Sequence, residues 1–431
     1  MTRPSSAVYR RRRIVVGSIL LVVAVLATYL PVALLAPVPA AAASIPDAPA
    51  VSSTAVPLAA PPSGTSAISV VGDGTGRTTA DDPAGVVLGA SGSTEAVPIA
   101  SITKTITALV VLDAQPIAEG GEGPDLTMTE TDAQYLRDTI AVGGSWASVY
   151  PGQVLSEREV IEIMMLESAN NYSLTLTTWA FGSVAAYLEA ATAWLAEHGL
   201  TSTQVVDTSG LDPGSRSSAR DLLALGALAL ADPVLSGIVG TAEDTLPQLG
   251  LIDNSNTLLG TNGIDGVKTG TTDEAGFCLL FSADTVVNAG GPDEQTVQLV
   301  GVVLGAASTA ELQAAVLALL QSAEAGFQVV PLVTAGDVVG TYTTAWGASA
   351  DVVATESLTA TVWSGASATR SVETEPLESG ASGTPVGTAR YTLEGTVIGG
   401  SGELTVPLAL AGELDGPDAG WRLANPGRLF G

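Results

Sequence analysis

The chain begins with a long apolar run behind a short basic stretch. Four consecutive arginines at positions 10–13 precede residues 14–35, where apolar side chains predominate. About 20 such residues are enough for a helix to cross a bilayer, and a basic flank is typical of its cytoplasmic side. The pattern predicts that residues 1–36 form a cytoplasmic tip and a transmembrane helix, and that the rest of the chain is exported.

A removable signal peptide is the alternative to a retained anchor. Residues 39–44, Pro-Ala-Ala-Ala-Ala-Ser, place small side chains at the A-x-A positions of a cleavage site. We favour the anchor because the apolar run exceeds the usual core of a signal peptide. If the segment were cleaved, the protein would be secreted.

The next two segments differ sharply in pattern. Residues 37–64 are rich in Pro, Ala and Ser and have few large apolar side chains, which predicts a linker. Residues 65–328 mix the periods of strands and helices. Helices are predicted at 101–113, 154–165, 184–195, 218–230 and 310–325. Strands are predicted at 67–71, 86–88, 277–283 and 297–304, with turns at 72–74 and 288–291.

This distribution predicts an α+β domain followed by an all-β domain. Strands stand at both ends of 65–328 with helices between them, so the first and last segments should share one sheet. Residues 329–431 show short Val- and Thr-rich runs punctuated by Gly and Ser, and no convincing helix. We predict a separate β-sandwich-like domain there.

Charge argues against nucleic acid as a partner. The chain has 44 acidic and 16 basic residues, and five of the basic ones lie within its first 13 positions. The exported part is therefore strongly negative and repels phosphate backbones. We expect a monomer that binds no nucleic acid.

The single cysteine and the single histidine exclude further kinds of site. Cys278 alone cannot form an intrachain disulfide, and His198 alone cannot supply a metal cluster. His198 precedes Gly199 in a pattern typical of a helix end, which favours a structural role. No metal or cofactor is expected, and a serine nucleophile would need a base other than histidine.

Lysine is the informative residue, because the chain has 14 arginines but only Lys104 and Lys268. Arginine stays charged, whereas a buried lysine can lose its proton and act as a base. Lys104 follows Ser101 by three residues, so both side chains lie on one helical face within hydrogen-bonding reach. The serine also stands at the positive end of the helix, where backbone N–H groups can hold an oxyanion. Because serine is common, Ser-x-x-Lys alone is weak evidence.

Two further motifs accompany this pair. Lys268 opens Lys-Thr-Gly, in which Thr269 can bind a carboxylate and Gly270 leaves room for a ligand backbone beside a strand. Ser168 and Asn170 form Ser-x-Asn behind a predicted helix; alone they are more often helix caps. The order Ser-x-x-Lys, Ser-x-Asn, Lys-Thr-Gly is the motif set of penicillin-binding proteins and serine β-lactamases.

The sequence therefore resembles the D-alanyl-D-alanine carboxypeptidases, which are low-molecular-weight penicillin-binding proteins. The resemblance covers about residues 66–325 and includes, beside the three motifs, the stretches 98–109, 209–212, 218–222, 266–272 and 275–276. It implies a penicillin-binding, β-lactamase-like transpeptidase domain, with an antiparallel sheet flanked by helices. A weaker similarity to the β domain of the family runs through 387–423.

The resemblance also implies a role for each site residue. Ser101 would be the acylated nucleophile, Lys104 the general base and Ser168 a proton shuttle. Substrate would be bound by a second set: Asn170, Lys268, Thr269, Gly270, Thr271 and, for the terminal carboxylate, Arg220. The implied substrate is a peptidoglycan stem peptide ending in D-Ala-D-Ala, and β-lactam antibiotics would bind covalently.

Three other functions are compatible with the same residues. A β-lactamase or a D,D-endopeptidase would use the same site, and a non-catalytic wall-binding protein would rely on its β domain. A class A β-lactamase needs a glutamate in an E-x-x-L-N context; Glu197 is the nearest candidate here, but the Asn is absent. The family's usual C-terminal amphipathic anchor is also not evident, so the N-terminal helix would attach the protein to the membrane.

Overall fold

The structure, a computed structural model, describes residues 6–71, 84–291, 294–398 and 402–430. Its helices are α1 Ser6–Leu35, α2 Thr103–Ala114, α3 Glu130–Ala141, α4 Glu157–Leu166, α5 Asn170–Phe181, α6 Val184–Glu197, α7 Ala219–Ala231, α8 Pro233–Val239, α9 Thr309–Glu324, α10 Ala419–Ala424 and α11 Pro426–Leu429. Its first strands are β1 Ala43–Ser44, β2 Val51–Ser52, β3 Thr65–Val71, β4 Val86–Ser91, β5 Val97–Pro98, β6 Asp125–Thr127, β7 Val154–Ser156, β8 Arg216–Ser217, β9 Glu243–Leu246 and β10 Gly250–Asp253. The remaining strands are β11 Ile264–Thr272, β12 Gly276–Val287, β13 Gln295–Ala306, β14 Phe327–Val333, β15 Val338–Thr343, β16 Ser349–Ala354, β17 Leu358–Thr374, β18 Pro385–Ile398 and β19 Glu403–Leu410.

The predicted α+β fold is confirmed by a five-stranded antiparallel sheet in the order β11-β12-β13-β3-β4. Its first and last segments pair directly, since β3 lies beside β13. Both faces are buried: Val300 and Val302 of β13 face the cluster of helices α2 and α4–α8, while Leu299 and Val303 face α9. Alternating side chains of one strand thus serve two cores.

Most predicted helices are present with small shifts at their ends. The largest shift is at 154–165, where the first three residues form strand β7 and the helix begins only at Glu157. Ser156 explains the boundary, because its hydroxyl accepts from the N–H of Glu159 and the Glu159 side chain accepts from the N–H of Ser156. The predicted hairpin around 288–291 joins β12 and β13, whereas the turn predicted at 72–74 lies outside the described residues.

The sequence missed several helices. Helix α5 has the sequence NNYSLTLTTWAF, whose many threonines and polar residues hide its helical period. Its threonines are accommodated inside the protein: the Thr177 hydroxyl donates to the Ser173 carbonyl at 2.7 Å, and Thr175 donates to Asp132 at 2.7 Å. Helices α3 and α8 were also missed.

The C-terminal region is rich in strands, as predicted, but its described strands β14–β19 belong to one hydrogen-bonded sheet and not to the two sheets of a sandwich. One hydrogen-bonded sheet runs in the order β1-β15-β16-β19-β18-β17-β14, with β2 added beside β17. The pairing of the long strand β17 with β18 is irregular between Trp363 and Ser367, as at a bulge where a strand bends. Trp363 packs in the core that contains α9, whereas Ala368 packs in the core of the C-terminal sheet. The prediction of no helix here was wrong, because α10 and α11 are too short to show a period; the visible signals are the N-cap Asp418 and the first-turn Pro426.

The segment predicted as an unfolded linker, 37–64, adds strands to this C-terminal sheet. Ala43 pairs with Tyr342 of β15, and Val51 pairs with Ala368 of β17. The segment has too few apolar side chains to form a core of its own. It becomes ordered because sheet edges of the C-terminal region satisfy its backbone hydrogen bonds.

Candidate active site

Ser101 lies in a tight turn that leads into α2. Strand β5 pairs with β8, the chain then makes one turn of 3₁₀ helix over Ala100–Ile102, and α2 begins at Thr103. Two glycines let other backbones approach this turn closely. A Cβ on Gly270 would lie 2.9 Å from the Ile99 carbonyl oxygen, and one on Gly210 only 1.8 Å from that of Ala100. Any side chain at these glycines would push β11 or the 207–215 loop away from the serine.

The Lys104 amine is held against the Ser101 hydroxyl. Its Nζ lies 2.9 Å from Ser101 Oγ, 2.6 Å from Asn170 Oδ1 and 3.3 Å from the Ser209 carbonyl oxygen. The lysine side chain is fully buried, whereas Ser101 is partly exposed. The contact that the i, i+3 spacing predicts is therefore present, with the hydroxyl reachable from solvent and the amine sealed behind it.

The surroundings of Lys104 favour its neutral form. Burial lowers the pKa of Lys104 well below its ordinary value, the charge of Lys268 lowers this pKa further, and Asp207 partly offsets both effects. The three acceptors around Nζ are uncharged oxygens, and no carboxylate makes a hydrogen bond with Nζ among the described residues. A neutral amine here can accept a proton from the neighbouring hydroxyl.

Ser168 and Asn170 stand in the turn between α4 and α5. Ser168 is buried and has a φ of 56°, in the left-handed region that non-glycine residues seldom adopt. Asn170 begins α5, and its N–H donates to the Ser145 carbonyl at 2.8 Å while its side-chain oxygen reaches Lys104. The strained turn thus directs the Asn170 amide to Lys104. The Ser168 hydroxyl is not one of the three groups that contact the amine.

A second cluster is formed around Lys268 on β11. Its Nζ lies 3.4 Å from Thr269 Oγ1 and 3.5 Å from Ser255 Oγ, and these two hydroxyls lie 2.7 Å apart. Burial lowers the pKa of Lys268 to about 7. Ser255 and Thr269 are not buried, so an ammonium and two hydroxyls together face a space where an anionic group can bind.

Three residues of the site had no role predicted from sequence: Ser255, Asp207 and Ser209, the last of which belongs to a stretch that resembles the family. Asp207 shapes the loop behind Lys104, since its carboxylate accepts from the N–H groups of Gly210 and Leu211, both at 2.8 Å, and from the Ser215 hydroxyl at 2.7 Å. This loop presents the Ser209 carbonyl to Lys104. A backbone carbonyl leaves no trace in a motif, and Ser255 lies 13 residues before Lys268 without a fixed spacing to signal it.

Four other residues considered in the sequence analysis lie on β11, on α7 and at the end of α6. Thr271 continues β11 and pairs with Phe277. Arg220 is exposed in the first turn of α7, directly after β8, which pairs with the strand preceding the nucleophile turn. His198 has the structural role expected of it: it ends α6, its Nδ1 lies 2.9 Å from the Trp194 carbonyl oxygen, and its ring stacks on Trp194. Glu197 is exposed at the same helix end.

Comparison with known proteins agrees with this geometry. A family model described as "Peptidase_S11: D-alanyl-D-alanine carboxypeptidase" matches residues 77–308. The chain is 28% identical to the D-alanyl-D-alanine carboxypeptidase DacF of Bacillus subtilis, over 58% of this chain and 61% of that protein. It is 32% identical to a D-alanyl-D-alanine endopeptidase of Pseudomonas aeruginosa, over 47% of this chain and 64% of that protein. The match thus spans a little over three fifths of the length of these relatives.

A solved structure shows a similar fold over more of the chain. Penicillin-binding protein 5 of Haemophilus influenzae superposes with a TM-score of 0.54 at 23% identity, covering 82% of this chain and 99% of that one. At this identity the likeness concerns the fold alone. It includes more of the chain than the family model does.

Proposed function

Because the chain belongs to the D-alanyl-D-alanine carboxypeptidase family Peptidase_S11, we propose that it removes the terminal D-alanine from peptidoglycan stem pentapeptides. The reaction would proceed through an acyl-enzyme on Ser101. One observation carries the proposal: the fully buried Lys104 amine lies 2.9 Å from the partly exposed Ser101 hydroxyl. Its environment favours the uncharged form, which is the form that a general base requires.

The first half-reaction forms the acyl-enzyme. Ser101 Oγ attacks the carbonyl carbon of the penultimate D-Ala while its proton passes to Lys104 Nζ. The backbone N–H groups of Ser101 and Thr271 hold the resulting oxyanion. The C–N bond then breaks, the proton held by Lys104 passes to the leaving amine, and D-alanine departs. The role of Ser168 as a relay for this proton stays a prediction, because its hydroxyl is not one of the three groups that contact Lys104.

The second half-reaction restores the enzyme. Water attacks the ester carbonyl on Ser101 and gives up a proton to Lys104, which passes it to Ser101 Oγ as the ester bond breaks. The product is the shortened tetrapeptide stem. A β-lactam enters by the same first step, but its opened ring stays attached to the acyl group and no fragment leaves. We therefore propose that penicillin forms a long-lived adduct on Ser101.

Strand β11 is the proposed binding surface for the peptide. It is the terminal strand of the described five-stranded sheet, so its outer edge can pair with an extended backbone. The terminal carboxylate of the substrate would then reach Lys268, Thr269 and Ser255, while the Asn170 side chain binds an amide of the stem. We propose Arg220 only as a second cation attracting the same carboxylate.

The product of the reaction distinguishes the candidate activities. We expect the full-length protein to release free D-alanine from a stem pentapeptide ending in D-Ala-D-Ala, with the tetrapeptide as co-product in chromatography. A 32% identical relative is named an endopeptidase, so a cross-linked stem dimer should be tested in parallel. Cleavage of the dimer alone would favour endopeptidase activity, rapid release of hydrolysed penicillin would favour a β-lactamase, and wall binding without any product would refute catalysis.

Replacing Ser255 by Ala should weaken substrate binding more than chemistry. The variant loses one hydroxyl beside Thr269 and Lys268 but leaves the contact between Lys104 and Ser101 in place. We expect KM for the pentapeptide to rise about fivefold to twentyfold with kcat changed less than about threefold, as for the loss of one hydrogen bond to a charged group. Steady-state kinetics measures this, and Ser202→Ala, an exposed serine of the same domain, is the control. A fall in kcat at unchanged KM would contradict the assignment.

A further inference from the structure

The outer end of α1 is held by the C-terminal residues 419–430, which we call the collar. The Tyr29 hydroxyl donates to the Leu423 carbonyl at 2.7 Å, and the Arg422 guanidinium donates to the Ala36 carbonyl at 2.6 Å. Ala36 follows the last turn of α1, where carbonyl groups lack helical partners and the helix dipole favours a cation. Two hydrogen bonds thus join the collar to the helix end, and in each the two partners are almost 400 residues apart in sequence.

The collar is also fixed to the C-terminal sheet. Trp346 donates from Nε1 to the Asp415 carbonyl at 2.6 Å, and its ring meets Trp421 edge to face with centroids 5.5 Å apart. Arg428 donates to the Ala345 carbonyl at 3.1 Å. An apolar cavity between helix and collar is lined by Pro31, Val32, Leu35, Ala36, Pro37, Leu429 and Phe430. The helix end is thus connected through the collar to the folded β region.

The segment that follows α1 is also joined to the C-terminal region by backbone hydrogen bonds. Ala41 exchanges two backbone hydrogen bonds with Leu377, both of 2.9 Å, and Ala43 pairs with Tyr342. Ala36, Val38 and Ala41 are buried. Ala41 and Ala43 are the small residues of the A-x-A site, so the same residues that would be recognised for cleavage are components of the C-terminal sheet.

The length of α1 indicates where the collar lies relative to the bilayer. A hydrocarbon core about 30 Å thick takes up about 20 helical residues at a rise of about 1.5 Å each. Counted from Ile14, directly after the arginines, the core ends near Ala33, which is fully buried within the protein. The collar contacts the helix near this level, and its Trp421 is of the aromatic type enriched at bilayer interfaces.

We propose that the N-terminal helix is retained as a structural part of the folded protein, and that the collar clamps its outer end so that the β region rests on the outer membrane surface. Cleavage after Ala43 would remove the pairing partners of Tyr342 and Leu377 and leave the collar without the helix that it contacts. With the helix retained, the β region lies between the membrane and the catalytic domain.

Intact-mass analysis of the full-length chain expressed in bacterial membranes is the first test. We expect a mass that includes residues 14–43, in a membrane fraction that resists carbonate extraction. A mature chain beginning at Ser44 would overturn the proposal.

Limited proteolysis of the same membranes tests the clamp. Elastase cleaves after small residues, and the run Ala40–Ala43 offers it four alanines whose cleavage would release the ectodomain. We expect Tyr29→Phe/Arg422→Gln to be released at this run about tenfold faster than wild type, because the segment opens more often. Arg390→Gln is the matched control, since it breaks the exposed pair with Glu403 and touches neither helix nor collar. Equal rates in all three proteins, with unchanged circular dichroism, would refute the clamp.

Discussion

The Ser101→Ala variant is expected to release D-alanine from the stem pentapeptide at least about 10⁴-fold more slowly than wild type. Without the hydroxyl no acyl-enzyme can form, and the oxyanion donors and binding groups alone give only weak residual catalysis. The substitution removes a single oxygen from a partly exposed position, so the fold should persist. D-alanine release measured with a coupled oxidase assay gives the rate.

Two comparisons make this result specific to Ser101. The exposed serine variant Ser202→Ala should retain the wild-type rate, and pentapeptide binding to Ser101→Ala, measured by calorimetry, should stay within about threefold of wild type. Substantial turnover by a folded Ser101→Ala protein would exclude this serine as the nucleophile.

The Lys104→Arg variant is expected to be acylated by penicillin about 10³-fold more slowly than wild type. Arginine keeps a cation and hydrogen-bond donors at this position, but it does not lose its proton at ordinary pH and so cannot accept one from Ser101. If Lys104 served only as a hydrogen-bond donor, Lys104→Arg would keep much of the acylation rate. Stopped-flow measurement with a fluorescent penicillin gives the acylation rate.

The pH dependence of the same reaction separates the roles of the two lysines. In wild type the acylation rate should rise with pH through the pKa of Lys104, because below it the amine is protonated and cannot act as a base. Lys104→Arg should lose this rise. Lys268→Arg leaves Lys104 in place and retains a cation beside Thr269, so this variant should keep the rise. Acylation of Lys104→Arg within about tenfold of wild type would contradict the general-base assignment.

Lysine scarcity explains why so much of the site could be anticipated from sequence. The chain has only two lysines, and both lie within short motifs. The three-residue spacing of Ser101 and Lys104 is enough to predict the contact between their side chains. The parts that were missed have no local pattern. Asp207 acts by folding a loop, Ser209 contributes a backbone carbonyl, and Ser255 meets Thr269 only through the tertiary fold.

In the fold, too, elements with a local sequence pattern could be predicted, whereas elements that depend on distant contacts could not. Strands β3 and β13 and helix α9 follow from their periodicity, and their pairing follows from the layered packing of strands and helices. The 37–64 segment could not be anticipated, because its order depends on sheet edges some 300 residues away. Helix α5 was hidden because its buried face mixes the apolar Tyr172 and Leu176 with threonines whose hydroxyls bond to backbone and to Asp132, so no clean apolar period appears in the sequence.

Peptide mapping of the wild-type protein after incubation with benzylpenicillin identifies the residue that becomes acylated. We expect one penicilloyl group per chain, carried by the peptide that contains Ser101, and none on the Ser101→Ala protein. An adduct on any other residue, or no adduct on a folded wild-type chain, would contradict a Ser101 nucleophile activated by Lys104.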